Sequence, residues 1–134
     1  MIRNNGMEGV AAALVLIAVA AITGCGDDGP QRVQVSGEVS YNGQPVPVGT
    51  IVFTPDASKG NSGPQGAAAI RNGKYDTAAD DGRNPVAGPT IVEISAYDGV
   101  PTNPDDTSGG PLLEGHKQNI ELKPENNTLD FKLP

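Results

Sequence analysis

The sequence predicts an all-β domain: an antiparallel β-sandwich of about seven short strands, transthyretin-like or immunoglobulin-like, preceded by a helical signal peptide. Three observations lead there. Eighteen Gly and 12 Pro in 134 residues are far too much punctuation for a helical bundle. Apolar residues recur at every second position in several stretches after residue 31, the period of a strand with one face buried. Asn-Gly occurs at 42–43 and again at 72–73, and this pair favours the two-residue hairpin turn that needs φ > 0 at both positions.

Residues 1–24 read as a signal peptide, not as part of the fold. Met1–Gly9 is polar, and Val10–Ile22 is an unbroken apolar run. As a helix that run spans about 20 Å, short of the ~30 Å hydrocarbon core of a bilayer. Ile22-Thr23-Gly24-Cys25 resembles the lipobox of bacterial lipoproteins: an aliphatic residue, two small ones, then the cysteine that is modified. Small residues at 23 and 24 let a peptidase approach the bond before Cys25, and the resemblance implies a diacylglycerol on that thiol. Acyl chains contribute about 0.8 kcal/mol per buried methylene, and two or more hold a small domain on a membrane. Two other readings stand beside this one. Ala18-Val19-Ala20 fits an ordinary cleavage site that would release a soluble protein, and the apolar run could remain as an uncleaved anchor.

Residues 25–31 (CGDDGPQ) form a polar, flexible tether, and the domain occupies residues 32–134. Val33, Val35, Gly37, Val39 and Tyr41 alternate with polar residues in the first strand, where Gly37 predicts a bulge or the close approach of another backbone. Gln44–Val48 alternates around two prolines and reads as edge or loop. Ile51–Phe53 is a short strand and Ala57–Gly66 a loop. Ala67–Ile70 and Lys74–Thr77 flank Asn72-Gly73 as a hairpin. Ala78–Pro89 is a loop, and Thr90–Tyr97 reads as the central strand. Asp98–Gly115 is a long Pro/Gly/Asp-rich loop. Ile120 and Leu122 mark a further strand, and Leu129, Phe131 and Leu133 the last. The expected core is Val33, Val35, Val39, Ile51, Phe53, Ile70, Tyr75, Ile91, Ile94, Leu122, Leu129 and Phe131, with Tyr41 also assigned to the apolar face.

Three stretches carry a family resemblance: Val35–Val46 (VSGEVSYNGQPV) with Gly49–Phe53, Asn72–Tyr75 (NGKY), and Asn126–Leu133 (NNTLDFKL). Together with Ala87-Gly88 before Ile91–Ala96, they resemble the carboxypeptidase regulatory-like domain, a transthyretin-like (prealbumin-like) sandwich, over residues 33–133. The likeness departs at Pro89-Thr90-Ile91, where that family has Gly-x-Tyr. It implies a fold and a small bacterial lipoprotein, and no activity, because each shared residue has a structural reason.

Charge and composition narrow the function. A net charge of −7 without a Lys/Arg cluster lacks the field that gathers phosphates, so nucleic acid is not an expected partner. One Cys and one His leave no zinc-ligand cluster and no internal disulfide. His116 would have to serve any Ser-His-Asp arrangement, yet no G-x-S-x-G is present. Asp27-Asp28, Asp80-Asp81 and Asp105-Asp106 suit turn chemistry better than acid–base work, and no EF-hand loop surrounds them; a Ca²⁺ role for the Asp-rich loops stays open. Without Trp, sugar stacking would fall to Tyr41, Tyr75 or Tyr97. No catalytic residue, cofactor or metal is expected. The expectation is a non-catalytic lipoprotein on the periplasmic or extracellular face, held to the membrane through Cys25. Its sandwich would act as an interaction or structural module for an envelope protein or polysaccharide, using the loops 57–66, 78–88 and 98–115. A carbohydrate-binding module is the alternative, and a hydrolase the third reading.

Overall fold

The computed structural model describes residues 30–134. The signal peptide, Cys25 and Asp27-Asp28 lie outside the described residues. No helix among the described residues is long and apolar enough to cross a membrane.

The regular structure of the described chain is nearly all strand, apart from one 3-10 turn at Ala57–Lys59: β1 (Val35–Tyr41), β2 (Gln44–Pro45), β3 (Val48–Pro55), β4 (Gly66–Arg71), β5 (Lys74–Asp76), β6 (Gly88–Tyr97), β7 (Pro111–Leu122), β8 (Asn127–Thr128) and β9 (Phe131–Leu133). The ladder runs β2-β1-β5-β4-β3-β6-β7, and β8 and β9 pair with β1. The sheet is antiparallel along this path and curls around one core, as the composition predicts. The two pairings that close it, β8 and β9 on β1, are parallel. Only a connection that returns the chain to the end where β1 starts permits this, and alternation does not reveal it.

Both Asn-Gly pairs make the expected turns. Asn42 and Gly43 have φ of 49° and 80°, and Asn72 and Gly73 of 52° and 77°, the positive values of a type I′ turn. They join β1 to β2 through Tyr41 and Gln44, and β4 to β5 through Arg71 and Lys74. Gly37 meets its second expectation. A Cβ there would lie 1.9 Å from the Leu129 carbonyl oxygen, so only glycine lets β1 pass from β8 to β9 across the kink between them.

Phe53, Tyr75 and Phe131 form the aromatic centre of the core, with ring centroids 6.2 Å and 6.1 Å apart. Around them Val33, Val35, Val39, Ile51, Ile70, Ile94 and Leu122 are buried. Two of the twelve expected core residues are not, and Tyr41, placed on the apolar face, is only half-buried. On β6 the inward row is Val92, Ile94 and Ala96, so Ile91 stands half-buried on the outer face between Thr54 and Asn119. Adjacent Ile and Val cannot share one face of a strand. Leu129 is half-buried because it occupies the kink beside Gly37. Val46 and Val86 are buried in segments that read as edge and loop. A further correction concerns residues 111–115, which begin β7 instead of belonging to the preceding loop. Ten-residue β6 offers a second edge to pair with, and the bulge near Gly115, with φ of 65°, breaks the alternation that would have revealed the strand.

The strand directions sort the connections into two ends. At the near end, where the chain comes in at Pro30, lie the connections 56–65, 77–87 and 123–126. At the far end lie both Asn-Gly turns and the loop 98–110.

Candidate functional site

The near-end loops are tied to each other and to the incoming chain. Val33 N donates to Pro85 O and Ala87 N to Gln31 O. The Gln31 side-chain amide donates to Pro124 O, and Asn61 Nδ2 donates to Ala87 O and Pro89 O. Buried Thr77 accepts from Val35 N at 2.9 Å and donates to Asn84 Oδ1 at 2.8 Å. Asn127 closes the 123–126 turn by accepting from Lys123 N and donating to the carbonyls of Lys123 and Glu125. Their polar side chains largely serve the fold.

The far-end loop is organised by two carboxylates. Asp98 Oδ1 accepts from Val100 N and Gly110 N at 2.8 and 2.9 Å. Asp106 accepts from the amides of Thr102, Ser108 and Gly109, and from the Thr102 hydroxyl. Those amides, Thr102 first, hold the Asp106 carboxyl well below the usual carboxylate range. Val100 stands 62% exposed at the tip.

Asp81 is paired with exposed Arg71, and that hydrogen bond, more than charge alone, lowers the acid and raises the guanidinium. Asp81 and Asp106 therefore already have partners, and Asp80 and Asp105 are exposed in turns. Among the described residues no group of three His, Cys, Asp or Glu side chains comes together to hold a metal ion. His116 sits on β7 opposite Ile94, half-buried, and its imidazole makes no hydrogen bond within the described residues. A base needs a group that orients its ring.

The three tyrosines separate. Tyr75 is buried and donates to Leu129 O at 2.6 Å, and burial, then the charge of Asp130, pushes its phenol up. Tyr97 donates to Glu114 Oε1 at 3.2 Å on the outer face, which raises its phenol. Tyr41, assigned by its strand to the core, is only half-buried.

Two of the surface grooves among the described residues bear on function. The larger, about 640 Å³, lies on the outer face over Gly37, Ala69 and Tyr75, where small residues leave the sheet uncovered. Its rims carry Glu38, Asp76, Asp81 and Asp130 against Arg71 and Lys74. The smaller, about 280 Å³, lies at the far end between Tyr41, Asn42, Gln44, Pro45, Pro47, Asp98 and Leu112. Tyr41 was visible to a reading of the sequence. Its exposure was not, because that depends on β1 overrunning the covered part of the sheet.

The fold and grooves thus define an all-β sandwich with a self-braced far-end loop. No family model and no curated protein matches the chain. Among solved structures it is similar to a DUF3823 family protein from Parabacteroides merdae, at 15% identity and a TM-score of 0.45, over 78% of this chain and 46% of that one. This chain therefore spans less than half the length of that protein. A likeness this distant assigns neither family nor activity.

Proposed function

We propose that the protein is a lipid-anchored, non-catalytic module of the bacterial cell envelope, of the carboxypeptidase regulatory-like kind, whose sandwich binds or spaces other envelope components. The observation that carries this reading is the position of the single cysteine, at the end of Ile22-Thr23-Gly24-Cys25 and directly after an apolar run. The six residues Gly26–Gln31 span at most about 20 Å. A domain held at Cys25 therefore keeps its near end close to the bilayer and turns its far end outward. Of the three loops expected to make contacts, 57–66 and 78–88 belong to the near end; the third, 98–115, keeps residues 98–110 as a far-end loop free to meet a partner. The lone unbraced histidine and the engaged carboxylates support a binding role over a hydrolytic one. Mass spectrometry of the membrane fraction tests the anchor. The expected chain begins at a diacylglyceryl-modified Cys25; an unmodified Cys25, or a chain still beginning at Met1, overturns the reading.

A further inference from the structure

We infer that the far-end groove is a binding site for a neutral saccharide, with Tyr41 as its stacking platform; the inference rests on the envelope reading above. The pocket is small, about 280 Å³, just below the roughly 300–1,000 Å³ of drug-sized ligand sites, a size for one or two sugar rings. Its apolar part is the half-buried Tyr41 with Leu112 and Pro47. One aromatic ring beside aliphatic surface suits the C–H face of a sugar. A proline-rich peptide would need a longer row of aromatic ridges.

The polar part matches hydroxyl groups. The side-chain amides of Asn42 and Gln44 make no hydrogen bond within the described residues, so each offers both a donor and an acceptor. Asp98 contributes differently. Its Oδ1 is held by the amides of Val100 and Gly110, while Oδ2 accepts none within the described residues. The loop thus fixes the carboxylate and leaves one oxygen for a pair of vicinal hydroxyls, a preorganised acceptor. The pocket lining includes a carboxylate and no cation, and the chain carries −7, which disfavours acidic sugars and phosphates. Tyr41 at the end of β1 and Asp98 at the start of the 98–110 loop place the pocket at the far end, opposite Pro30.

The test uses the full chain in detergent micelles, with its lipid measured on the same preparation, against an array of neutral oligosaccharides, acidic oligosaccharides and proline-rich peptides, followed by titration calorimetry. Saturable binding of a neutral oligosaccharide is expected. It should weaken about tenfold or more in Tyr41→Ala, hold within about threefold in Tyr41→Phe, and weaken by about threefold to tenfold in Gln44→Ala. Tyr97→Ala, outside the groove, should leave it unchanged. Gln44 is exposed on β2, so its replacement tests the site even if Tyr41→Ala fails to fold. Binding of only acidic sugars or peptides, no binding at all, or binding indifferent to both Tyr41→Ala and Gln44→Ala overturns the assignment. Failure with a lipidated Cys25 removes the saccharide site alone, whereas saccharide binding by an unlipidated chain removes the anchor and supports the site.

Discussion

At the near end, the side chains of Gln31, Asn61 and Thr77 reach across to other segments, and Val86 is buried under the connection that carries it. At the far end, Asp98 and Asp106 bond only within 98–110. Both ends are rich in Gly, Pro and Asp, and composition alone gives them the same reading. They differ in where the polar side chains find partners. The near-end loops complete the floor of the core, so loosening one exposes Val33, Val86 and Phe53. The far-end loop satisfies its own amides and can change or open at little cost to the rest. A long polar loop is therefore structural or presentational according to the sequence distance of its hydrogen bonds.

Breaking the near end should have the largest effect. Phe53→Ala removes the ring that packs on Tyr75 and should cost about 3–5 kcal/mol in urea unfolding, a large share of a small domain's stability. A loss under about 1 kcal/mol would place Phe53 outside the centre of the core. Next comes Thr77→Val, which keeps the shape and strips the hydroxyl from Val35 N and Asn84. It should destabilise by about 1–3 kcal/mol, and Thr77→Ser should recover most of the loss.

The far end should respond locally. Asp106→Asn should speed amide hydrogen exchange at Ser108 and Gly109 while global unfolding stays as in the parent. Acid should act the same way. The folded pKa of Asp106 lies below its unfolded value of about 3.9, so the bracing is complete above that pH and is lost as pH falls through the lower folded value. The 98–110 loop should therefore keep its protection at pH 5 to 7 and lose it in strong acid. Global unfolding coincident with that loss would show that the far end is not independent.

Much of the fold was legible from residues. Asn42-Gly43 and Asn72-Gly73 turn as their dihedral preferences require, and the alternation in Val33–Val39 puts the valines inside. Ile91 turns outward although two adjacent β-branched residues leave the phase of a strand ambiguous in sequence, and the pairing of Val92 and Ile94 with Phe53 and Ile51 on β3 decides it. Residues 111–115 read as loop because Gly115 shifts the phase and the polar stretch His116–Asn119 that follows shows no alternation. The far-end groove was not legible beyond Tyr41 as a stacking candidate, since Tyr41, Leu112 and Asp98 are far apart in the chain.

The sequence by itself determined what depends on near neighbours: an all-β chain, two tight turns with positive φ, a glycine where a side chain could not fit, and an apolar run ending at one cysteine. Turn dihedrals and strand alternation are set within a few residues, so they survive reading in one dimension. Only the tertiary structure decided that β8 and β9 lie parallel to β1, that the polar loops divide between a load-sharing near end and a self-contained far end, and that Tyr41 faces a groove. Those outcomes follow from register and strand direction, which are fixed by burying one common core, and no local stretch of sequence carries that information.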